Sequence, residues 1–425
     1  MRHDVVVVGG GPAGAAAAAH CARAGLDVAL VDKAAFPRDK TCGDGLTAGA
    51  LRELETLGVD VPAIAQQVRR TEVFGPRGTR VEFDVTLASG AWMIGVAARF
   101  RLDEELVARA VDMGARHETG LSFRGLEQRP DGVEVVLDEA DGTRTVLDAR
   151  YVIGADGAQS RVRTAAFGPS QVRMPGMQAL RQYFDAPESD LLTVTFRSDL
   201  LPGYGWIFPL PGGGVNLGVG VQRDPSHHGV ETLAALTNDK GRVALGGLAD
   251  LYRRFLAAPE VRARIGTDPV ATGRVQAWPI PADPDLSELV RDRVLLVGDA
   301  ARVVDPMTGE GIGQALTTGR LAAEAIAAGG APATVGHRYR HDVESGLGLD
   351  LRFSRWMMRH ALSHRRGIEY GLRLAGANDW TRRNFMRWLY EDYPRAFVST
   401  PTRWRRYSMR GVGAFSPVRT TSIPR

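Results

Sequence analysis

The sequence predicts an α/β fold: a doubly wound, parallel-sheet domain built from separated stretches of chain, an antiparallel sheet beside it, and a helical C-terminal region. Three observations predict it. Residues 5–8 (VVVV) form a short apolar run ending in glycines, the mark of a parallel strand buried on both faces. Helical spacing follows from Pro12 to about Ala24, and residues 27–32 (DVALVD) return to strand. The strand-then-glycine signature recurs far along the chain, at 151–157 (YVIGADG) and 294–299 (VLLVGD).

The remaining elements follow in order. Residues 71–95 alternate polar and apolar, with Val73, Val81, Phe83 and Val85, and read as an antiparallel ribbon. Residues 99–114 regain helical spacing, with Leu102, Leu106, Val107 and Ala110 on one face. Residues 133–148 read as a hairpin around Asp141-Gly142. Alternation in 167–222, including LLTVTF and YGWIFPL, predicts a second sheet. After the strand at 294–299, a helix runs to about Ala328, and 334–425 is mostly helical by pattern. The expected organisation is a nucleotide-binding domain from 1–72, 96–166 and 272–333. A substrate domain from 73–95 and 167–271 and a C-terminal region from 334–425 complete it.

Composition narrows the class. At 425 residues, 44% hydrophobic and 24% charged, the chain is neither disordered, collagen-like nor membrane-embedded. Two cysteines, Cys21 and Cys42, exclude a disulfide scaffold and suit a reducing cytoplasm. No run of about 18 apolar residues offers a membrane span. Glycines at 9, 10, 11 and 14 break the N-terminal apolar stretch and argue against a secretory signal. The net charge of +4 is uneven: residues 334–425 carry 18 Arg and 7 acids, with 13 of the 30 aromatics. No nucleic-acid-binding module accompanies that charge. Two readings of this tail stand open. It is a helical cap with solvent-facing arginines, or an amphipathic face, with Arg352, Arg355, Arg359 and Arg366 beside Phe353, Trp356, Met357 and Ala361, that meets an anionic membrane peripherally.

The motifs carry the chemistry. Gly9-x-Gly11-x-x-Gly14, with Pro12 and Ala13 opening the helix, joins a strand to a helix, and Asp32 ends the next strand. In this Rossmann-type setting the glycines allow a tight turn and close approach of a pyrophosphate. The helix N-terminus favours its charge, and Asp32 accepts from a ribose. Lys33 and Lys40 flank the following loop, where phosphate contact and a solvated surface are both open readings. Gly298-Asp299 ends a later strand, and Pro306, Gly309, Gly311 and Ile312 open a helix whose N-terminus suits the N1–C2=O side of a flavin. Gly154-Ala-Asp156-Gly157 adds a phosphate-side loop. His227-His228 has no carboxylate or cysteine at ligand spacing, so no metal is expected.

Together these motifs resemble the FAD-binding domain of the aromatic-hydroxylase-like flavoproteins. Arg99 in RFRLD matches the arginine beside the flavin in that group, and Arg302 departs from it where many hydroxylases have histidine. No second GxGxxG occurs, so NAD(P)H binds transiently or another electron donor serves. Two further motifs, Pro37-x4-Cys42-Gly43-Asp44-Gly45-Leu46 and Tyr204-x-Trp206-x-Phe208-Pro209 followed by Gly218-x-Gly220, are similar to the geranylgeranyl reductase family, in its menaquinone-reductase branch. The resemblance implies FAD and saturation of C=C bonds in an apolar isoprenoid. It also implies that Cys42 and Gly43 lie near the isoalloxazine. Tyr204, Trp206 and Phe208 share one strand face and can wall an apolar channel. Tyr204 and Cys42 are the candidate proton relays, and Cys42 reads equally as a small buried structural residue. Two other readings remain open: a monooxygenase tailoring an aromatic or polyketide metabolite, and a fold holding FAD without net redox. A halogenase lacks support, because Trp278-Pro279-Ile280-Pro281 does not have WxWxIP spacing.

Overall fold

A computed structural model describes residues 2–87, 89–168, 176–222, 245–392 and 394–396; His227, His228 and Trp404 lie outside them. β1 (Arg2–Val8) runs parallel to β2 (Val28–Asp32) on one side and to the strand Arg144–Gly154 on the other. The strand Arg116–Thr119 extends the sheet beyond β2, and Val294–Leu296 extends it beyond Arg144–Gly154. α1 (Pro12–Arg23) connects β1 to β2, and its residues Ala15 to Ala19 are all buried. Their small side chains let the helix Ile312–Ala327 approach closely: a Cβ on Gly319 would lie 2.3 Å from the Ala13 carbonyl oxygen.

Two sequence expectations change here. The second hairpin strand and the run at 151–157 are one element, Arg144–Gly154. Its first half pairs antiparallel with Val133–Asp138, and its second half lies parallel between β1 and Val294–Leu296. Burial alternates where one face meets solvent and becomes continuous where both faces are covered, so one strand looks like two. The strand expected over 294–299 stops at Leu296; Gly298–Ala301 forms a tight 3₁₀ turn, with Gly298 at φ +57°. Asp299 therefore sits on a turn, not a strand end.

Among the described residues the second sheet has seven strands, in the order Gln276–Ile280, Met177–Phe184, Val215–Gln222, Gly203–Pro209, Leu191–Thr195, Arg70–Phe74, Arg80–Asp84. The ribbon expected at 71–95 is the hairpin of its last two strands. Gln276–Ile280 pairs with Met177–Phe184, so by sheet membership it joins the second sheet although it follows residue 271. One sheet face buries Ile207, Leu217 and Val219 against Leu251 and Phe255 of the helix Leu245–Leu256. The other face is left for the site.

The C-terminal region is helical: Pro332–Val343, Leu349–Met357, Arg365–Ala375 and Asp379–Leu389, with widened π turns at Glu344–Gly348 and Met358–Leu362. Ile368, Leu372 and Met386 pack on Val73, Val81 and Phe83 of the second sheet. The described part of the tail is thus a packed cap. No described helix is long and apolar enough to cross a membrane.

Candidate active site

A cavity of about 1290 Å³ runs from the glycine turn after β1 to the C-terminal helices. It exceeds the roughly 300–1,000 Å³ of ordinary ligand pockets, leaving room for a dinucleotide and a second molecule.

The first end is built by β1, α1 and β2. Gly9, Gly11, Pro12 and Ala13 line it, whereas Gly14 lies behind them. A Cβ on Gly14 would sit 1.8 Å from the Gly9 carbonyl oxygen, and Gly9 itself holds φ +106°. Only glycine satisfies both positions, and the result is a bare backbone turn at the mouth of α1. No side chain caps α1, so its first N–H groups remain for a ligand. Asp32 stands opposite, accepting from Gly10 N at 2.7 Å and Ala34 N at 2.8 Å. Lys33 is exposed at the rim. Lys40 turns inward, its Nζ 2.8 Å from the centre of the Trp278 ring. Burial brings its pKa down to about 7, against the attraction of Asp299.

Asp156 lines the cavity, but its carboxylate is spent on the chain: Oδ2 accepts from Arg161 N and Val162 N, opening the helix Arg161–Phe167. Arg99 grips Asp103 by two bonds, 2.7 and 2.8 Å, both groups buried. Burial works against the Arg99 charge, and the Asp103 carboxylate more than offsets it, so its pKa is raised. Asp299, Gly309, Gly311 and Ile312 line the middle of the cavity at the start of the helix Ile312–Ala327, where Glu310 takes the Gly313 N–H. Gly298 and Pro306 lie behind this wall. Gly298 N donates to Thr318, a Cβ on Gly298 would meet Ala13 at 2.8 Å, and the Pro306 carbonyl accepts from Gln222. Arg302 is buried in left-handed conformation (φ +58°), closing the turn after Asp299.

The far end is aromatic. Tyr204, Trp206 and Phe208 project from Gly203–Pro209 into the cavity, with ring centres 6.0 and 6.3 Å apart along the row. The paired Gly218 makes room for Trp206: a Cβ there would lie 2.2 Å from its ring. Tyr204 donates to the Thr308 carbonyl. Cys42 and Gly43 face this row from the loop after β2, and a Cβ on Gly43 would sit 3.6 Å from both Trp206 and Phe208. Met357, Leu362, Ile368 and Trp388 of the tail close the end.

Sequence reasoning missed a polar network beneath the aromatic row. Asp44, fully buried, accepts from Tyr183 Oη and Asn216 Nδ2, each at 2.7 Å. Asn216 also donates to the Cys42 carbonyl and accepts from the Trp206 indole at 3.0 Å. The signal was present in the single acid of CGDGL, but its partners lie on distant strands. Among the described residues no group of His, Cys, Asp and Glu could hold a metal.

The bare glycine turn, the uncapped α1 N-terminus, Asp32 and the long cavity fit FAD. Residues 2–194 match a family described as an FAD binding domain. The menaquinone reductase of Mycobacterium tuberculosis is 37% identical over 335 residues, 76% of each chain. The digeranylgeranylglycerophospholipid reductase 1 of Methanopyrus kandleri is 36% identical over 76% of this chain and 80% of its own. The fold is that of a geranylgeranyl bacteriochlorophyll reductase-like protein from Thermoplasma acidophilum, with a TM-score of 0.75 and 22% identity over 95% of this chain and 99% of that one. With these likenesses and this site, the chain belongs to the geranylgeranyl reductase family of FAD-dependent oxidoreductases.

Proposed function

We propose that the protein saturates C=C bonds of an isoprenoid chain, such as that of a prenyl quinone or prenyl lipid. The observation that carries this is the aromatic row of Tyr204, Trp206 and Phe208 in the same cavity as the dinucleotide turn. Bound FAD, once reduced, supplies hydride to the alkene. The glycine turn, α1 and Asp32 would hold the dinucleotide half of FAD, with Lys33 and the Asp156 loop toward its phosphates. Arg99, Cys42, Gly43, Asp299, Gly309, Gly311 and Ile312 would hold its ring, with Gly298 and Pro306 shaping their backbone. The aromatic row and the tail residues exclude water and fix the polyene, and positioning supplies much of the rate for an unactivated alkene. NAD(P)H or another carrier reduces the flavin transiently.

The tail supplies the route in. Trp356, Tyr370 and Trp380 of the tail are 55%, 72% and 52% exposed, and Tyr370 lines the cavity with Met357 and Met358. Exposed Arg359, Arg366, Arg382 and Arg383 lie on the same or adjoining helical segments. Exposed aromatics interspersed with arginine suit peripheral contact with an anionic bilayer, from which a lipid substrate enters directly. Anaerobic incubation of the reduced holoenzyme with menaquinone or geranylgeranyl diphosphate, read by mass, tests the reaction. The expected product gains two hydrogens per saturated bond; unchanged prenyl chains throughout would overturn the reading.

A further inference from the structure

The reduction needs a proton as well as a hydride, and the cavity's obvious donors are poor ones. Burial pushes both the Cys42 thiol and the Tyr204 hydroxyl up from their ordinary ranges. The Tyr204 proton is also committed to the Thr308 carbonyl.

Asp44 differs from both. It lines the cavity, has no solvent exposure, and its Oδ1 has no hydrogen-bond partner. An ionised carboxylate buried with one oxygen unpartnered costs more than the neutral acid in the same place, because the charge itself loses its solvation. Its backbone is clamped in left-handed conformation (φ +66°) by the bond from Ala97 N to its carbonyl. Tyr183 and Asn216 both bond Oδ2, leaving Oδ1 as the free end, and Asn216 ties the acid to Trp206.

Resting on the reductase reading above, we propose that Asp44 is the acid that protonates the alkene. Hydride from the reduced flavin bonds to one alkene carbon. The π electron pair takes the Asp44 proton at the other, leaving a saturated bond, oxidised flavin and an Asp44 carboxylate. Tyr183 and Asn216 hold that carboxylate until water returns the proton. The charged and titratable groups facing Asp44 are Arg181 and Tyr183 on Met177–Phe184, Arg99 on Arg99–Asp112, and neighbouring Cys42. Burial lifts the Asp44 carboxyl to about 6, against the bonds from Tyr183 and Asn216 and the charges of Arg181 and Arg99. An acid near the working pH is the efficient kind.

Asp44→Asn and Asp44→Gly test this, since both residues accept a left-handed backbone and the fold is kept. Infrared difference titration of the FAD-loaded protein should show a protonated-carboxyl band in wild type that both variants lack. Single-turnover reduction of geranylgeranyl diphosphate should fall by about 10²-fold or more, with FAD retention and dithionite reduction unchanged. The wild-type rate should decline as pH rises through the acid's pKa, the variants should lose that limb, and formate should restore part of the Asp44→Gly rate. Variants within about twofold of an active wild type, keeping its pH limb, would overturn this proposal alone. A wild type inert toward every prenyl substrate would overturn the reductase reading and this one with it.

Discussion

Arg395 and Asp305 form a buried ion pair, Nη1 to Oδ1 at 2.5 Å, that ties the C-terminal segment to the loop ahead of the helix Ile312–Ala327. Asp305 is shared: Met307 N, Thr308 N and Ser354 Oγ also donate to it. Removing Arg395 leaves a carboxylate buried without its counter-charge. Arg395→Met is expected to lose about 3–5 kcal/mol of stability. Thermal denaturation followed by flavin fluorescence checks it, and early FAD release should accompany the loss.

Gly14→Val should abolish FAD retention while wild-type-like secondary structure persists in part. The added side chain starts 1.8 Å from the Gly9 carbonyl oxygen, so α1 must move off the turn it forms. The absorbance spectrum after gel filtration reads the outcome.

Gly218→Ala displaces Trp206, because the new methyl meets both the ring at 2.2 Å and the Leu180 carbonyl oxygen at 2.5 Å. A loss of about 1–3 kcal/mol is expected from overpacking. Turnover with a prenyl substrate should fall more than FAD affinity, because the disturbed side chain is on the aromatic row.

Asp44 should weaken the fold as pH rises. Its folded pKa, about 6, lies above the 3.8 of an ordinary aspartate. Its contribution is therefore complete below about pH 4 and is lost as pH rises through about 6. Asp44→Asn, always neutral, should melt above wild type near neutral pH by on the order of 1–3 kcal/mol, the gap closing in acid. Melting curves across pH, on protein of equal FAD content, decide it.

Replacing Trp356 and Trp380 together by Ser should reduce flotation with anionic vesicles and leave flotation with neutral ones low. Turnover of a detergent-dispersed substrate should change little. Equal flotation of wild type and variant would remove the membrane contact.

The sequence made legible whatever is encoded locally. Gly9, Gly14 and Asp32 announce a turn because their spacing within one strand–helix–strand unit is the turn. Tyr204, Trp206 and Phe208 announce a face because strands alternate. What distant chain brings together stayed hidden. Asp44 meets its partners across 139 and 172 residues, and Arg395 meets Asp305 across 90. Lys40 reads as a surface residue until the Trp278 ring is placed under it. The Arg144–Gly154 strand was divided because its two halves have different neighbours, which periodicity alone does not reveal.

That strand also sets a timetable. It lies between the chain's first strand and Val294–Leu296, a segment made much later. While the chain is still being synthesised, the N-terminal glycine turn exists beside an unfilled slot in its sheet, and the apolar edge there is exposed. The helix Ile312–Ala327 and the tail tied to its leading loop through Arg395 emerge later still. A ribosome-bound intermediate of this protein thus presents only half of the cavity.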